Sequence, residues 1–199
     1  AVGVNGNEAD NSAPYSGAAY VFTRNGIAWS QQAYLKASNA EAEDRFGSDL
    51  SISDDMLVIG AFQESSNAVN MNGNQADNSA INSGAAYVFT RMNTTWTQQT
   101  YLKALNAEAD DAFGFAVSVF EDTFVVGAGN EDSNATGVNG NRYDNSAIWS
   151  GAAYVYATSW SALANNGLGV YPGPSASVNA LAFVGTDLYV GGYFSKTTD

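Results

Sequence analysis

The chain repeats itself every 67 residues, and this period constrains its fold more than any other feature of the sequence. Residues 16–22 (SGAAYVF) recur as 83–89 and, with one change, as 150–156, without insertion or deletion. Residues 1–67 and 68–134 are identical at 41 aligned positions. A fixed period of this kind indicates a structural unit that buries its apolar surface against its neighbours.

The repeats define the predicted domain organisation. Further markers keep the same period: Trp29 and Trp96, Phe46-Gly47 and Phe113-Gly114, Gly60-Ala61 and Gly127-Ala128. We therefore predict a repeat region over residues 1–160, with units 1–67, 68–134 and 135–160. Residues 161–199 form a divergent segment in which a β-hairpin is predicted to complete a further blade.

Each repeat is predicted to contain four short strands. Residues 18–23 and 29–36 form the first pair around an Asn-Gly turn at 25–26, a dipeptide that tolerates the positive φ of tight turns. Residues 46–53 and Met56–Ala61 form the second pair. The chain has 20 glycines and 45% hydrophobic residues but few helix-forming residues. The predicted class is all-β, with propeller-type blades of four-stranded antiparallel sheets.

Alternation along the strands predicts which side chains share a face. Two sets follow, one in each half of a repeat: Trp29, Gln31, Ala33 and Leu35, and Phe113, Phe115, Val117 and Val119. Trp29 and Trp96 are predicted to lie in the blade core. The long segments 62–83 and 129–150 are rich in Asn, Ser, Asp and Gly, and they are either functional or packed along their own blades.

Charge and composition exclude several classes of function. Seven Lys and Arg against 20 Asp and Glu give a net charge of −13, which disfavours binding to nucleic acid or to an anionic membrane. No apolar run approaches the roughly 20 residues that membrane insertion requires. Cysteine and histidine are absent, which excludes disulfides, Cys/His zinc sites and the usual general base at neutral pH.

The motif pairs resemble a known repeat. Phe46-Gly47 followed by residues 57–62 (LVIGAF), and Phe113-Gly114 followed by 125–129 (VVGAG), are similar to the FG-GAP repeat of integrin α-subunit propellers. The wider unit looks more like bacterial extracellular FG-GAP repeat proteins. The resemblance implies a β-propeller, an extracellular or cell-surface location, and a role in adhesion or ligand binding. The integrin-type calcium loop does not carry over, because residues 53–55 and 120–122 supply too few oxygen ligands.

Two kinds of candidate site remain. Trp149 and Tyr15 occupy a variable loop position and are candidate ligand-binding residues, since exposed aromatic rings can stack on a sugar or a peptide. The long segments carry weak calcium candidates, because carboxylate oxygens suit Ca²⁺: Glu64, Asp77, Glu131, Asp132 and Asp144. The same loop residues also suit Asx turns, and no other cofactor is predicted.

A catalytic site is not predicted. Without His or Cys, the available chemistry would need a carboxylate pair such as Glu43-Asp44 or Asp110-Asp111. Both pairs recur at the same place in consecutive repeats, whereas a catalytic centre is normally built once. We therefore interpret these carboxylate pairs as residues that form turns and keep the protein soluble. The protein is not expected to be an enzyme.

The order of motifs leads to a hypothesis of self-assembly. The chain opens at the Gly-Ala-Ala strand and closes after a hairpin, so it contains two complete blades and two complementary halves. Either the sequence is part of a longer propeller, or the C-terminal hairpin of one subunit completes the N-terminal half-blade of the next, which generates a ring or a filament.

The expected function is that of a non-enzymatic extracellular or cell-surface module for adhesion, surface structure or ligand binding. Its partner is expected to be a protein or a glycan at the cell exterior. The alternatives are an ancillary propeller domain of a secreted hydrolase and a lectin-like carbohydrate-binding protein.

Overall fold

The computed structural model describes residues 1–157, 162–169, 177–184 and 187–193. These residues form strands, turns and loops, and they contain no helix. No helix long and apolar enough to span a membrane is therefore found among them. The end of the predicted third unit at 158–160, and residues 161, 170–176, 185–186 and 194–199 of the predicted C-terminal segment, lie outside the described residues.

Twelve strands run through the described part of the chain. They are β1 (Ala19–Asn25), β2 (Ala28–Leu35), β3 (Leu50–Ser53), β4 (Met56–Ala61), β5 (Ala85–Met92), β6 (Thr95–Leu102), β7 (Phe113–Phe120), β8 (Thr123–Ala128), β9 (Ala152–Ala157), β10 (Ala162–Gly169), β11 (Ser177–Val184) and β12 (Asp187–Tyr193). All pairings between neighbouring strands are antiparallel.

The strands form two complete sheets and two hairpins. The complete sheets have the order β3-β4-β5-β6 and β7-β8-β9-β10, and the hairpins are β1-β2 and β11-β12. Each complete sheet therefore starts at a Phe-Gly segment and ends with the Gly-Ala-Ala strand and the outer strand of the next repeat. This all-β architecture is consistent with propeller blades, although the described strands form no closed propeller.

Two apolar layers hold the sheets together. The first layer lies between hairpin β1-β2 and sheet β3-β6, where Val21 and Leu35 pack with Phe46, Tyr87 and Trp96. The second layer lies between sheets β3-β6 and β7-β10 and repeats the same arrangement one period later. Because each sheet has apolar side chains on both faces, it is stable only when it is covered on both sides.

The glycines of the repeated motifs permit a close approach between sheets. A Cβ added to Gly60 would lie 1.9 Å from the carbonyl oxygen of Gly114 in the next sheet. Gly84 has φ +78°, and a Cβ there would lie 2.0 Å from the carbonyl oxygen of Phe113. Glycine is therefore required at these positions by steric contact rather than by turn formation alone.

The long segments pack along the outer edges of their sheets. The amide N–H of Asn72 donates to the carbonyl of Tyr101 at 2.8 Å, and the Asn72 side-chain oxygen accepts from the Tyr101 amide at 3.0 Å. Asn5 makes the equivalent pair of contacts with Tyr34, at 2.7 and 3.0 Å. These segments cover strand edges that would otherwise expose unpaired backbone groups.

A bulge overturns one predicted face. Tyr34 pairs with Tyr20 but Phe22 pairs with Gln31, so one extra residue is accommodated in β2. In the equivalent strand β6, Trp96 belongs to the first apolar layer and Leu102 to the second. The tryptophan and the leucine therefore point to opposite faces, because the bulge shifts the alternation by one residue.

Two further predictions about side chains are wrong in part. Trp96 lies in the core as predicted, but Trp29 is 66% exposed, because no described sheet covers that side of hairpin β1-β2. Phe115 is exposed rather than buried with Phe113 and Val117, since a break in the β7-β8 register displaces it.

β3 begins at Leu50 rather than at residue 46, because Phe46 instead forms a parallel bridge with Gly17.

Candidate functional site

Tyr15 and Trp149 occupy equivalent corners of the repeated unit. Both side chains are exposed, and the residue at this position in the middle repeat is Asn82. The corner is held by backbone hydrogen bonds to the segment that precedes the next Phe-Gly motif. The amide of Arg45 donates to the carbonyl of Tyr15 at 3.2 Å, and the amide of Ala112 donates to that of Asn82 at 3.1 Å.

All three corner residues have a left-handed backbone. The φ angles are +54° for Tyr15, +54° for Asn82 and +57° for Trp149. Asparagine tolerates this region well, whereas a bulky aromatic residue adopts it rarely and at an energetic cost. The first and third corners therefore carry large aromatic side chains in a conformation that disfavours them.

Sequence reasoning missed a second component of these corners. The residues immediately before the aromatic position are Pro14, Ile81 and Ile148, and all three are exposed in spite of being apolar. Each repeat therefore presents an exposed apolar residue at the same corner, followed by an aromatic residue in the first and third repeats and by Asn82 in the middle repeat. We call these three pairs the corner row: Pro14-Tyr15, Ile81-Asn82 and Ile148-Trp149. The aligned repeats could have revealed this component, because each has one apolar residue at this position inside an otherwise polar segment.

Polar groups contact both aromatic residues of the corner row. The Arg45 guanidinium lies 4.5 Å from the centre of the Tyr15 ring, which is cation–π geometry. The amide of Trp149 donates to an Asp132 carboxylate oxygen at 2.7 Å. A guanidinium thus lies beside the Tyr15 ring and a carboxylate beside the Trp149 backbone, and such polar groups near apolar side chains suit a partly polar ligand.

A buried ion pair lies inside sheet β3-β6. The Lys103 ammonium is 3.0 Å from the Glu64 carboxylate, and neither side chain is more than 1% exposed. Tyr101 Oη and the Ser66 amide donate to the same Glu64 oxygen, at 2.9 and 3.1 Å. Burial lowers the pKa of Lys103, while Glu64 opposes that shift. Every buried polar side-chain atom of the described network has a hydrogen-bond partner, as is typical of a network that stabilises a fold.

The next sheet, β7-β10, has the equivalent glutamate without the equivalent lysine. Glu131 is buried and accepts hydrogen bonds from Asn106 Nδ2 at 2.8 Å and from the Ser133 amide at 3.0 Å. Leu168 pairs with Ala153 as Leu102 pairs with Ala86, so Gly169 stands where Lys103 stands one repeat earlier. Burial raises the pKa of Glu131, since desolvation penalises its charged form.

Asp44 and Asp111 are a second pair of buried carboxyl groups. Each accepts a backbone amide hydrogen bond, from Glu41 at 2.7 Å and from Glu108 at 2.8 Å respectively. Burial raises the pKa of each to about 7, against the opposing effect of that hydrogen bond. Both occur in the same turn of consecutive repeats, which fits the predicted role in turn formation. The predicted role in solubility is wrong for these two aspartates, because both are buried.

The calcium candidates are dispersed rather than brought together. Glu64 is paired with Lys103, Asp132 accepts from Trp149, and Glu131 accepts from Asn106 and Ser133. Asp77 and Asp144 close Asx turns with Ser79 and Ser146. The described residues contain no group of three or more acidic side chains that could hold a metal ion. Calcium binding stays a prediction that these contacts do not favour.

An open groove of about 730 Å³ runs between the inner strands β3, β7 and β11. Its wall includes the edge-to-face pair Phe62–Phe115, whose ring centres are 5.5 Å apart. Its only carboxylate, Asp49, accepts the amide hydrogen of Val117 at 2.7 Å and thereby joins β3 to β7. The groove is therefore chiefly a junction between sheets, and it holds no cluster of titratable groups within the described residues.

Comparison with known proteins agrees with this architecture. The FG-GAP repeat family matches residues 29–89 and 96–156, and each match runs from the outer strand of one sheet to the Gly-Ala-Ala strand of the next. Together the two matches cover more than half of the chain. No curated protein sequence gives a significant match. On its motifs, its antiparallel sheets and these two matches, the chain belongs to the FG-GAP repeat family.

Proposed function

We propose that this protein is a non-enzymatic binding module that acts outside the cell or at its surface. Its ligand, a protein or a glycan, contacts the corner row. The observation that carries the proposal is the pair Tyr15 and Trp149, which remain exposed although their left-handed backbone disfavours large side chains. The resemblance to extracellular FG-GAP repeat proteins supports the proposed location.

The corner row has the chemistry of a contact surface. Aromatic faces stack on the apolar faces of sugar rings and on peptide groups, and they carry much of the energy of many interfaces. Arg45 beside the Tyr15 ring and Asp132 bonded to the Trp149 amide add polar groups at these corners. Because the three corners are equivalent positions of successive repeats, a long ligand meets the same kind of contact more than once.

The proposal that the protein is not an enzyme rests on the buried acids. Asp44 and Asp111 are the carboxyl groups with the clearest shift toward neutral pH, and each is bonded to a backbone amide of its own turn. They recur in consecutive repeats, as structural groups do. A reactive carboxyl pair would instead face a cleft that admits a substrate.

Replacement of the corner aromatics by the residue of the middle repeat tests the proposal. The probes are a glycan array and an array of immobilised extracellular-matrix peptides. We expect Tyr15→Asn and Trp149→Asn to weaken binding to the captured probe at least tenfold, while folding is retained because Asn82 already occupies the equivalent corner. The reverse change, Asn82→Tyr, is expected to strengthen binding.

The outcomes separate binding from folding. Circular dichroism and urea unfolding report whether each variant is folded, and the Asn variants are expected to be about as stable as the native chain. Probe binding that is the same in the native chain, Y15N and W149N contradicts the role of the corner row. The absence of binding to every probe on both arrays contradicts the proposed ligand class.

A further inference from the structure

The outer side of hairpin β1-β2 is an apolar face without a partner in the described residues. Tyr20, Phe22 and Trp29 form this face and are 49%, 52% and 66% exposed. We call these three side chains the outer face. Their equivalents one repeat later, Tyr87, Phe89 and Trp96, are at most 2% exposed. The same surface is thus buried in one copy of the repeat and open in the other.

The buried copy shows what covers a face of this kind. Tyr87, Phe89 and Trp96 pack in one layer with Ala19 and Val21 of the preceding hairpin. Polar contacts add to the layer: Trp96 Nε1 donates to Gln32 at 2.8 Å, and Tyr87 Oη donates to Asn39 at 2.7 Å. A face of this kind is therefore covered by a neighbouring copy of the same sheet. The covering sheet contributes its opposite face, on which the third strand carries an Ala-x-Val pattern.

The chain carries that covering pattern at its other end. Ala153 and Val155 of β9 stand at the positions of Ala19 and Val21. β11 already contacts β7, β8 and β9, and Ala153 is buried. Val155 is only half-buried, whereas its equivalent Val88 is completely buried between two sheets. Sheet β7-β10 therefore has one incompletely covered face. That face carries Ala153 and Val155, the equivalents of the residues that cover Tyr87, Phe89 and Trp96.

The strand edges are complementary in the same way. Among the described strands, β1 pairs only with β2, and β12 pairs only with β11. In both complete sheets the equivalent strands are paired with each other, as β4 with β5 and β8 with β9. Hairpins β1-β2 and β11-β12 thus each present half of a sheet together with an edge, unpaired among the described strands, at which the other half would add.

We propose that two copies of this chain associate head to tail, with β12 of one copy pairing antiparallel with β1 of the other. The hybrid sheet has the order β11-β12-β1-β2, and the outer face of the second copy packs on Ala153 and Val155 of the first. Two such contacts join two copies into four complete and two hybrid sheets. Six blades lie within the four to eight of closed propellers.

The internal repeat also assigns the register of the hybrid sheet. Residues 188–191 (LYVG) align with residues 57–60 (LVIG), and both hairpins have two residues between the paired ends of their strands. Met56 pairs with Thr90 in the complete sheet. The equivalent pair across the two copies is Asp187 with Thr23, and Leu188 would lie opposite Phe22.

Sedimentation equilibrium over about 1–200 µM protein tests the association. We expect the native chain to move from monomer to dimer as its concentration rises. The double variant Phe22→Lys/Trp29→Lys is expected to raise the dissociation constant at least about 30-fold, because two charges would be buried in the new layer. Both side chains are exposed in the single chain, so folding should be retained.

A matched control lies on the same hairpin. Ile27 is 95% exposed, and its equivalent Thr94 is also exposed beside the covered face. Ile27→Lys adds the same charge but should leave the dissociation constant unchanged within about twofold. A native chain that remains monomeric over the whole range, or an I27K variant that dissociates as F22K/W29K does, overturns the proposal.

Cysteine pairs test the register, since the chain has no cysteine of its own. Under mild oxidation, T23C/D187C is expected to form a disulfide-linked dimer. T23C/V190C should not, because a shift of three residues moves the Cα atoms about 10 Å along the strand, beyond the reach of a disulfide. Equal cross-linking of both pairs, or of neither, contradicts the assigned pairing. Neither pair alters Tyr15 or Trp149, so ligand binding is tested separately.

Discussion

The buried aspartates Asp44 and Asp111 make stability depend on pH. Burial raises the pKa of both to about 7 in the folded protein, whereas an aspartate in an unfolded chain has its ordinary value of 3.8. Between these values the folded state binds more protons than the unfolded state. We therefore expect the free energy of unfolding to fall as pH rises from 4.5 to 7.5, by up to about 3 kcal/mol for each aspartate, as measured by urea unfolding.

Neutral variants identify the groups responsible. D44N/D111N cannot ionise but keeps a side-chain oxygen for the amides of Glu41 and Glu108, so its pH dependence should be shallower. D54N/D122N removes two exposed carboxyl groups and serves as the control. A slope that is the same in D44N/D111N and the native chain would show that other groups titrate in this range.

The two buried glutamates are expected to respond differently to the same substitution. Glu64→Gln leaves the buried Lys103 ammonium without its counter-ion, and the expected loss is about 3–5 kcal/mol of unfolding free energy. Glu131 belongs to none of the ion pairs among the described residues, and burial already raises its pKa. Glu131→Gln should change the free energy of unfolding by less than about 1 kcal/mol.

Urea unfolding of both variants at one pH provides the measurement. E64Q/K103M removes both charges of the buried pair and should be less destabilised than E64Q alone, because no unpaired charge remains. Equal losses in E64Q and E131Q would mean that the Glu64–Lys103 ion pair contributes little beyond its hydrogen bonds.

At the scale of the strands and sheets, the Gly-Ala and Phe-Gly motifs meet across neighbouring blades. Gly60→Ala would place a methyl group 1.9 Å from the carbonyl oxygen of Gly114, so the two sheets must separate. We expect a loss of about 3 kcal/mol or more, similar to the severe effects of overpacking. The denaturant midpoint measures this loss.

Gly26→Ala is the control for Gly60→Ala. Gly26 has φ +60° in the β1-β2 turn, and a Cβ there would have no atom within 4 Å. The expected loss of unfolding free energy is about 1–2 kcal/mol, because alanine would only have to adopt a left-handed backbone there. If Gly60→Ala costs no more than Gly26→Ala, the sheets can move apart without losing their packing, and the close approach is not required.

At the scale of the whole molecule, the net charge of −13 opposes compaction. Raising NaCl from about 20 mM to about 0.3 M shortens the range of this repulsion, so the urea midpoint should move to higher concentration. The Glu64–Lys103 pair is buried and screened far less, so the difference between E64Q and the native chain should be similar at both salt concentrations. A urea midpoint that falls as the salt concentration rises would contradict the idea that repulsion between like charges destabilises the folded chain.

Much of the fold was predictable from the sequence, because the 67-residue period and the alternating strands report local constraints that are copied in each repeat. The β4 bounds match the prediction at both ends, and Trp96 lies in the core as expected. The faces of Trp29 and Phe115 were not predictable from alternation, since each depends on an irregularity in strand pairing. At the candidate site, Tyr15 and Trp149 were identified from their variable position, but their left-handed backbone was not.

The sequence by itself determined the repeated unit, its strands and its family, because these depend on the order and spacing of residues along the chain. Only the tertiary structure decided which copy of a repeated side chain is covered. Tyr20 and Tyr87 occupy the same place in identical segments, yet one is exposed and the other buried. The physical reason is that burial depends on which sheet lies against a face, and identical sequences cannot encode a difference in their neighbours.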